Sequence, residues 1–126
     1  SFYDSPYNSE AAYGPTYGLH REALEFNMDQ YRELKEYAAE KDITLFATPF
    51  DIPSVDFLME LGVPFFKIAS GSIQNPLLLR RAAEMGKPIL VSFGGATHRD
   101  ISRVVQEVER VPLVLMHCTA AYPTKG

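Results

Sequence analysis

From Asn27 onward, the chain alternates between two patterns of hydrophobic and polar residues. One pattern is a stripe in which apolar residues recur at helical spacing, and the other is a short run of consecutive apolar residues. Short runs rich in β-branched and aromatic residues are typical of strands that are buried on both faces of a parallel sheet. Four such strands are predicted, at residues 43–50, 64–70, 88–93 and 112–118.

Each of the four predicted helices begins at a residue type that commonly caps a helix. Side chains of Ser, Thr, Asn and Asp accept hydrogen bonds from the free N–H groups of the first helical turn. The helix before the second strand also carries Pro53 in its first turn and ends at Gly62, and the next helix ends at Gly86. The four capping signals are Asn27 with Gln30, Asp51, Asn75 before Pro76, and Thr97 with Asp100.

The resulting order, α-β-α-β-α-β-α-β, predicts an α/β fold in which about four parallel strands alternate with helices. No G-x-G-x-x-G motif follows a predicted strand, so a dinucleotide-binding sheet lacks its fingerprint. A complete (β/α)₈ barrel takes about 250 residues, and four strands make half of one. We therefore predict a partial TIM barrel. We expect either that the chain is a segment of a longer protein or that its open strand edges pair with another chain.

Residues 1–26 differ from the rest, since they are rich in aromatic residues, Gly and Pro and show no period. We predict that they form a long loop, which either packs on itself or covers a ligand. Residues 27–126 then provide four αβ units, and residues 1–126 are expected to be a segment of a single TIM-barrel domain.

Composition and charge argue against several classes of function. The formal net charge is −4, with Lys and Arg scattered, whereas a nucleic-acid partner needs a clustered basic face. The apolar runs are far shorter than a membrane span, and the opening residues lack the features of a signal peptide. The single cysteine, Cys118, excludes an internal disulfide and favours a reducing cytoplasm.

The four predicted strands end in small polar residues, in the motifs ATPF, KIASGS, VSFGGAT and HCTAAYPT. Binding sites of parallel α/β proteins lie beyond the carboxyl ends of the strands. Because successive strand side chains point to opposite faces, we expect Lys67 on the face opposite Phe66 and Ile68. Thr48 and Ser92 hold comparable positions on neighbouring strands. These groups, with the N-termini of the following helices, predict a site for phosphate or carboxylate.

Lys67 has two other interpretations. A buried lysine is costly without a partner, so Lys67 could pair with a core Asp or Glu, or extend from the strand end to water. A desolvated lysine on a barrel strand can also form a Schiff base with a carbonyl substrate, which would make the protein an aldolase. The residue pattern leaves these alternatives open.

At these residues the chain resembles a known family. The motifs TPFD, VPFFKIASGS, GKPILVSFGGAT and HCTAAYPT, in this order and spacing, are similar to those of the sialic acid synthases. The stretch TYGLHREALEFNMDQYRELKEYA resembles the animal-type members, and the resemblance covers essentially the whole chain. It implies a (β/α)₈ barrel whose third to sixth strands are those predicted here. It also implies condensation of phosphoenolpyruvate with N-acetylmannosamine, its 6-phosphate or a related amino sugar to a nine-carbon sialic-type acid.

The resemblance implies roles for individual residues. Lys67 matches the family lysine that binds phosphoenolpyruvate as a charge partner, and is the residue expected to be catalytic. Thr48, Ser70 and Ser92 match hydroxyl residues around the phosphate and carboxylate of this substrate. Tyr122 matches a tyrosine near the acceptor sugar.

Three positions depart from the family pattern. Ser72 stands where many members have an acidic residue, Ala120 where many have Asn or Ser, and Phe93 where Thr is usual. These departures favour a paralogue that makes a related nine-carbon sugar acid or uses a different acceptor.

The resemblance further implies a divalent metal, Mn²⁺ or Mg²⁺, whose histidine ligands are expected beyond residue 126. A second ligand-binding lysine and an acidic residue are expected before residue 1, and the full-length protein is expected to be a cytoplasmic homodimer. The segment alone is then catalytically incomplete. A non-catalytic half-barrel that serves as a scaffold is the alternative from a different class of function.

Overall fold

The structure, a computed structural model, describes residues 3–121 and 123–124. It divides into two compact units, residues 1–34 and residues 35–126. Helix α1 spans Tyr17–Leu24 in the first unit, and helix α2 spans Met28–Glu40 and continues from the first unit into the second. Within the described ranges, no helix is both long enough and apolar enough to cross a membrane.

The first unit corrects the prediction that residues 1–26 form a loop, because it contains α1. Thr16 caps this helix by accepting a hydrogen bond from the backbone N–H of Leu19 at 3.3 Å. Within α1, all of whose residues are described, only Gly18 is buried. The helix therefore lacks the apolar stripe by which an amphipathic helix is recognised in a sequence. An antiparallel bridge joins Pro6 to Thr16.

Aromatic side chains of the first unit pack against one another. The ring of His20 stacks on that of Tyr7 with 4.4 Å between centroids, and its Nδ1 accepts a hydrogen bond from Tyr13 N at 3.2 Å. The hydroxyl of Tyr3 donates to Glu22 at 2.6 Å, and this hydrogen bond raises the pKa of Tyr3. The aromatic residues of this segment therefore contribute to its packing.

The second unit confirms the α/β class, since its described strands form a parallel sheet alternating with helices. The strands lie in the order β1 (Phe66–Ile68), β2 (Ile89–Ser92) and β3 (Leu113–Met116). In the register, Lys67 lies opposite Leu90 and Leu90 lies opposite Val114. The helices are α3 (Ile52–Leu61), α4 (Pro76–Glu84) and α5 (His98–Glu107), and a 3₁₀ turn at Ser70–Ser72 follows β1.

The prediction of a strand at residues 43–50 is wrong, because these residues form no ladder with β1 or with any other strand of the described ranges. A strand is defined by N–H and C=O groups that pair with a neighbour, and the buried Pro49 has no N–H to donate. Side-chain packing is present, since the rings of Phe46 and Phe65 lie 4.5 Å apart. The apolar run thus indicated a packed segment but not its backbone pairing.

One face of the sheet is apolar and closed. The fully buried residues of β1 and β2 are Phe66, Ile68, Ile89 and Val91, and the register places them on one face. The helical segments contribute a matching set of side chains that are at most 3% exposed: Val55, Leu58, Leu78, Leu79, Ala82, Val104 and Val108. Burial of each large apolar side chain contributes about 1.5–3 kcal/mol. This helix-covered face is therefore the core of the unit.

The predicted capping signals are confirmed at all four helices. In each, a side-chain oxygen accepts a hydrogen bond from an N–H of the first turn. The bonds are Gln30 N to Asn27 Oδ1 (3.0 Å), Ser54 N to Asp51 Oδ1 (2.8 Å), Leu78 N to Asn75 Oδ1 (3.2 Å) and Asp100 N to Thr97 Oγ1 (3.3 Å). The predicted stop at Gly62 is also confirmed, since this residue ends α3 in the left-handed conformation at φ 74°.

Asp100 shows how a cap couples stability to pH. Its Oδ2 accepts hydrogen bonds from Thr97 Oγ1 at 2.6 Å and Thr97 N at 3.0 Å, and its Oδ1 accepts from Gln74 at 2.9 Å. These bonds lower the pKa of Asp100 from 3.8 to about 2, and the bonds from Thr97 have the largest effect. A carboxylate whose pKa is lowered by folding stabilises the fold above its unfolded pKa, and this contribution is lost as the pH falls through the folded pKa.

We predict that Asp100→Asn lowers the thermal midpoint of the protein at neutral pH, and that the difference from the wild type shrinks as the pH falls from 4 towards 2. Thermal unfolding followed by circular dichroism at several pH values measures this. Glu109→Gln, which removes an exposed carboxylate just beyond α5, is the control and should show no such convergence. A deficit of Asp100→Asn that does not change with pH would contradict the capping argument.

Candidate anion-binding site

Lys67 lies in the middle of β1, on the face opposite the buried Phe66 and Ile68. This confirms the alternation predicted from the sequence, since the lysine is half-buried while both neighbours are fully buried. Its Nζ donates a hydrogen bond to the backbone oxygen of Ile68 at 3.0 Å. The ammonium therefore folds back over its own strand towards the carboxyl edge of the sheet.

Two serines lie near this edge. Ser92 is two residues beyond Leu90, the register partner of Lys67, so it shares the face of the lysine and lies closer to the carboxyl end. Ser70 follows β1, and its Oγ accepts a hydrogen bond from Gly94 N at 2.8 Å. This bond joins the end of β1 to the loop after β2.

Lys67, Ser70 and Ser92 line one open cavity of about 440 Å³. The lining residues come from the ends of all three strands: Lys67, Ala69, Ser70, Gly71, Ser92, Gly94, Cys118, Thr119 and Ala120. The structure thus brings together three of the residues predicted for the site. Thr48, which is half-buried, is not among the lining residues, and Tyr122 lies outside the described residues.

The cavity is positively charged. None of its lining residues is acidic, and within residues 3–121 and 123–124 no Asp or Glu makes an ion pair with Lys67. The described structure therefore does not supply the core carboxylate that one interpretation of Lys67 required. A lysine ammonium has three N–H donors, and one of them is used by Ile68.

The helix N-termini contribute less than the sequence suggested. One N-terminal N–H group in each of α3, α4 and α5 donates to its own cap, at Asp51, Asn75 or Thr97, and no residue of these helices lines the cavity. Asp51 is itself a carboxylate whose pKa is lowered by hydrogen bonds from Ser54, and the Thr97 cap includes the carboxylate of Asp100. The candidate anion site therefore depends on Lys67 and the two serines.

Of the three positions that depart from the family pattern, Ala120 lines this cavity. Ser72 is 9% exposed in the 3₁₀ turn and is absent from the lining. Phe93 is buried and lines a second cavity, of about 490 Å³, together with Ile101 and Leu115. The Ser72 and Phe93 departures therefore do not change the described wall of the cationic cavity.

The second cavity also contains side chains that often bind metals, since His98, His117 and Cys118 line it. Nevertheless, in the part of the chain that the structure describes, no group of three or more His, Cys, Asp or Glu residues could hold a metal ion. The residues present therefore do not form a site for the divalent metal that the resemblance implies.

Gly94 and Cys118 are among the residues of the cationic cavity to which sequence reasoning assigned no role. Gly94 links to Ser70 through its backbone N–H, and Cys118 is half-buried and lines both cavities. A signal for Gly94 was present, because a Gly-Gly pair directly after a strand commonly marks a close backbone approach. No such signal distinguishes Cys118 from a small core residue.

The fold and the cavity together define an α/β protein whose parallel sheet has a cationic cavity at its carboxyl edge. Residues 3–126 match the NeuB family, and the chain therefore belongs to this family. The resemblance to sialic acid synthases that the sequence motifs indicated is thereby confirmed.

Characterised relatives share this similarity over most of the chain. The N-acetylneuraminate-9-phosphate synthases of Drosophila melanogaster and Homo sapiens are each 41% identical to it, over 96% and 95% of the chain. The N,N'-diacetyllegionaminic acid synthase of Campylobacter jejuni is 37% identical over 79% of the chain. The matches cover 33%, 34% and 31% of these three proteins, so the chain spans about a third of the length of such relatives.

A solved structure supports the same assignment. The N-acetylneuraminic acid synthetase of Leptospira borgpetersenii, in complex with citrate, superposes with a TM-score of 0.81 at 36% identity. The alignment covers 95% of this chain and 44% of that protein. The fold assignment as a partial barrel thus agrees with a solved member of the sialic acid synthases.

We predict that Lys67→Met leaves the free energy of unfolding unchanged or slightly raised, because removal of the ammonium leaves no described carboxylate without its partner. If Lys67 instead neutralised a buried acid, the same change would cost about 3–5 kcal/mol. Denaturant unfolding of the full-length protein distinguishes the two. Ile68→Ala, on the buried face, is the control for sensitivity and should cost about 2–5 kcal/mol.

Proposed function

We propose that the protein condenses phosphoenolpyruvate with N-acetylmannosamine, its 6-phosphate or a related amino sugar to a nine-carbon sialic-type acid. The observation that carries the proposal is the cavity in which Lys67, without a described carboxylate partner, lies beside Ser70 and Ser92. Phosphoenolpyruvate carries a carboxylate and a phosphate, and both are acceptors for an ammonium and for hydroxyl donors.

The relatives support both the class of reaction and the choice of acceptor. A six-carbon sugar that gains three carbons at its aldehyde carbon becomes a nine-carbon acid, so its C6 becomes C9. A 9-phosphate product, as named for the synthases of Drosophila melanogaster and Homo sapiens, therefore requires a 6-phosphate acceptor. Other relatives are named for different products, such as the N,N'-diacetyllegionaminic acid synthase, and they support the alternative that the acceptor is a different amino sugar.

The citrate in the Leptospira borgpetersenii synthetase structure adds support of another kind. Citrate is a small polycarboxylate, so a protein with this fold can hold a compound rich in carboxylate oxygens. We propose that Lys67 and the two serines likewise bind the carboxylate and phosphate oxygens of phosphoenolpyruvate.

The residues of the cavity act in this proposal by holding and orienting phosphoenolpyruvate. C3 of the enol attacks the aldehyde carbon of the acceptor, which forms the new C–C bond and leaves positive character at C2. Water adds to C2, and its proton is taken by the aldehyde oxygen. The C2–O bond to phosphate then breaks as the remaining C2–OH becomes the ketone, and its proton leaves with the orthophosphate. Lys67 remains close to the phosphate and carboxylate throughout and stabilises their charge.

Other parts of the proposal rest on the resemblance alone. Thr48 is proposed to contact the same substrate and Tyr122 the acceptor sugar. A divalent metal, Mn²⁺ or Mg²⁺, would supply electrophilic activation of the aldehyde in the full-length protein. Its ligands are expected outside residues 1–126, and the roles given above to Lys67 and the serines need no metal ligand from these residues. The homodimer and the cytoplasmic location also stay predictions.

We predict that Lys67→Met weakens the binding of phosphoenolpyruvate to the full-length protein by about 2 kcal/mol or more, or roughly thirtyfold, since a partly buried anion loses its charge partner. Isothermal titration calorimetry measures the affinity. Lys87→Met is the matched control, because Lys87 is a half-buried lysine at the opposite, amino end of β2, and its loss should leave the affinity unchanged.

The same proteins distinguish the rival functions. Borohydride reduction in the presence of pyruvate should trap no adduct on Lys67, and a trapped adduct would favour the Schiff-base aldolase. Binding of phosphoenolpyruvate without turnover of any amino sugar by the full-length protein would favour a non-catalytic scaffold.

We also predict that phosphoenolpyruvate slows the alkylation of Cys118, because this thiol lines the same cavity as Lys67. Mass spectrometry of the Cys118 peptide after a timed reaction with N-ethylmaleimide measures the rate. The protection should disappear in Lys67→Met and persist in Lys87→Met. Equal alkylation with and without phosphoenolpyruvate at saturating concentration would argue that the substrate binds elsewhere.

A further inference from the structure

We propose that Gly94 is a positioning residue that sets the hydrogen-bond direction of Ser70, so that Ser70 acts as a donor towards an anionic ligand. This inference rests on the proposed function, because it concerns the same cavity. Its basis is the bond from Gly94 N to Ser70 Oγ at 2.8 Å, which joins two residues that both line the cavity.

The direction of this bond follows from the chemistry of the two groups. A backbone N–H only donates, whereas a serine hydroxyl has one donor and can also accept. Ser70 Oγ therefore accepts from Gly94, and its own O–H proton must point to a different partner. An oxygen of a phosphate or carboxylate only accepts, so it matches the donor that the Gly94 bond leaves available.

The absence of a side chain at Gly94 makes this arrangement possible. A Cβ at this position would lie 3.1 Å from Ser70 Oγ, 3.4 Å from the Cβ of Ala120 and 3.5 Å from its N. The first distance is tighter than an ordinary van der Waals contact, and the two distances to Ala120 lie at the lower limit of one. Gly94 thus lies close to residues that follow β1 and β3, and a side chain there would require the Ser70 hydroxyl to shift by a few tenths of an ångström.

The consequence is that the three strand ends do not act independently. Ser70 comes from the end of β1, Gly94 from the loop after β2 and Ala120 from the segment after β3. A displacement of the Gly94 loop changes where the Ser70 hydroxyl points. Gly94 therefore influences ligand affinity through Ser70, although its own side chain contributes no contact.

A double-mutant cycle in the full-length protein tests the inference, with phosphoenolpyruvate as the probe and calorimetry as the readout. Gly94→Ala should weaken binding about tenfold in the wild-type background. In the Ser70→Ala background the same change should weaken it less than threefold, because the hydroxyl that Gly94 positions is already gone. Equal losses in the two backgrounds would overturn the inference.

Gly86→Ala is the matched control for a general effect of replacing glycine. Gly86 has a positive φ of 70°, no atom lies within 4 Å of the position of its Cβ, and it lies in the turn between α4 and β2. This variant should lower the thermal midpoint but leave the affinity unchanged. A loss of affinity in Gly86→Ala as large as that in Gly94→Ala would show that destabilisation alone explains the effect.

A second measurement does not depend on the folding of Gly94→Ala. Hydrogen exchange of the Gly94 amide should be faster in Ser70→Ala than in the wild type, and unchanged in Lys67→Met. An unchanged exchange rate in Ser70→Ala would overturn the inference. Failure of the proposed function has a different signature, because Lys67→Met and Ser70→Ala would then both bind phosphoenolpyruvate like the wild type.

Discussion

The site depends on the alternation of side chains along β1. Phe66 and Ile68 are fully buried on the helix-covered face, and their burial forces Lys67 onto the other face. Because the side-chain period of a strand is two residues, a slip of one residue would exchange the two faces. It would bring an ammonium into the apolar core and expose two large apolar side chains. The packing of the core is therefore also what orients Lys67.

The helices that alternate with the strands are in turn bounded by features at their own ends. Asp51 begins α3 and Gly62 ends it, and Thr97 with Asp100 begins α5. Ion pairs between helices, such as Arg81 with Asp56, contribute less, because both partners are exposed and exposed pairs contribute about 0–1 kcal/mol. The caps thus fix where these helices begin and end, and the cavity lies where the strands end.

These features explain how much of the molecule could be predicted from its sequence. Caps and apolar periodicity are local, so the boundaries of α3 to α5 and the face of Lys67 were predictable. The pairing of residues 43–50 was not, because a ladder depends on a neighbour that the local pattern does not contain. Helix α1 was missed because it buries little. Gly94 was missed because its role lies in a backbone bond to Ser70, 24 residues earlier in the chain.

The strength of the site depends on what excludes water from it. Two unit charges about 4 Å apart attract by about 1 kcal/mol in water and by about 4 kcal/mol at the effective dielectric constant of a protein surface. Lys67 is half-buried, and its cavity is open on the face away from the helices. An anion beside this lysine would therefore be bound weakly while the cavity is open and more strongly once it is covered. In the proposed reaction an acceptor sugar must lie against phosphoenolpyruvate, and there it would itself remove water from this cavity. Under that proposal, binding of the second substrate would strengthen the binding of the first, and charge would be stabilised most when the two carbons are in contact.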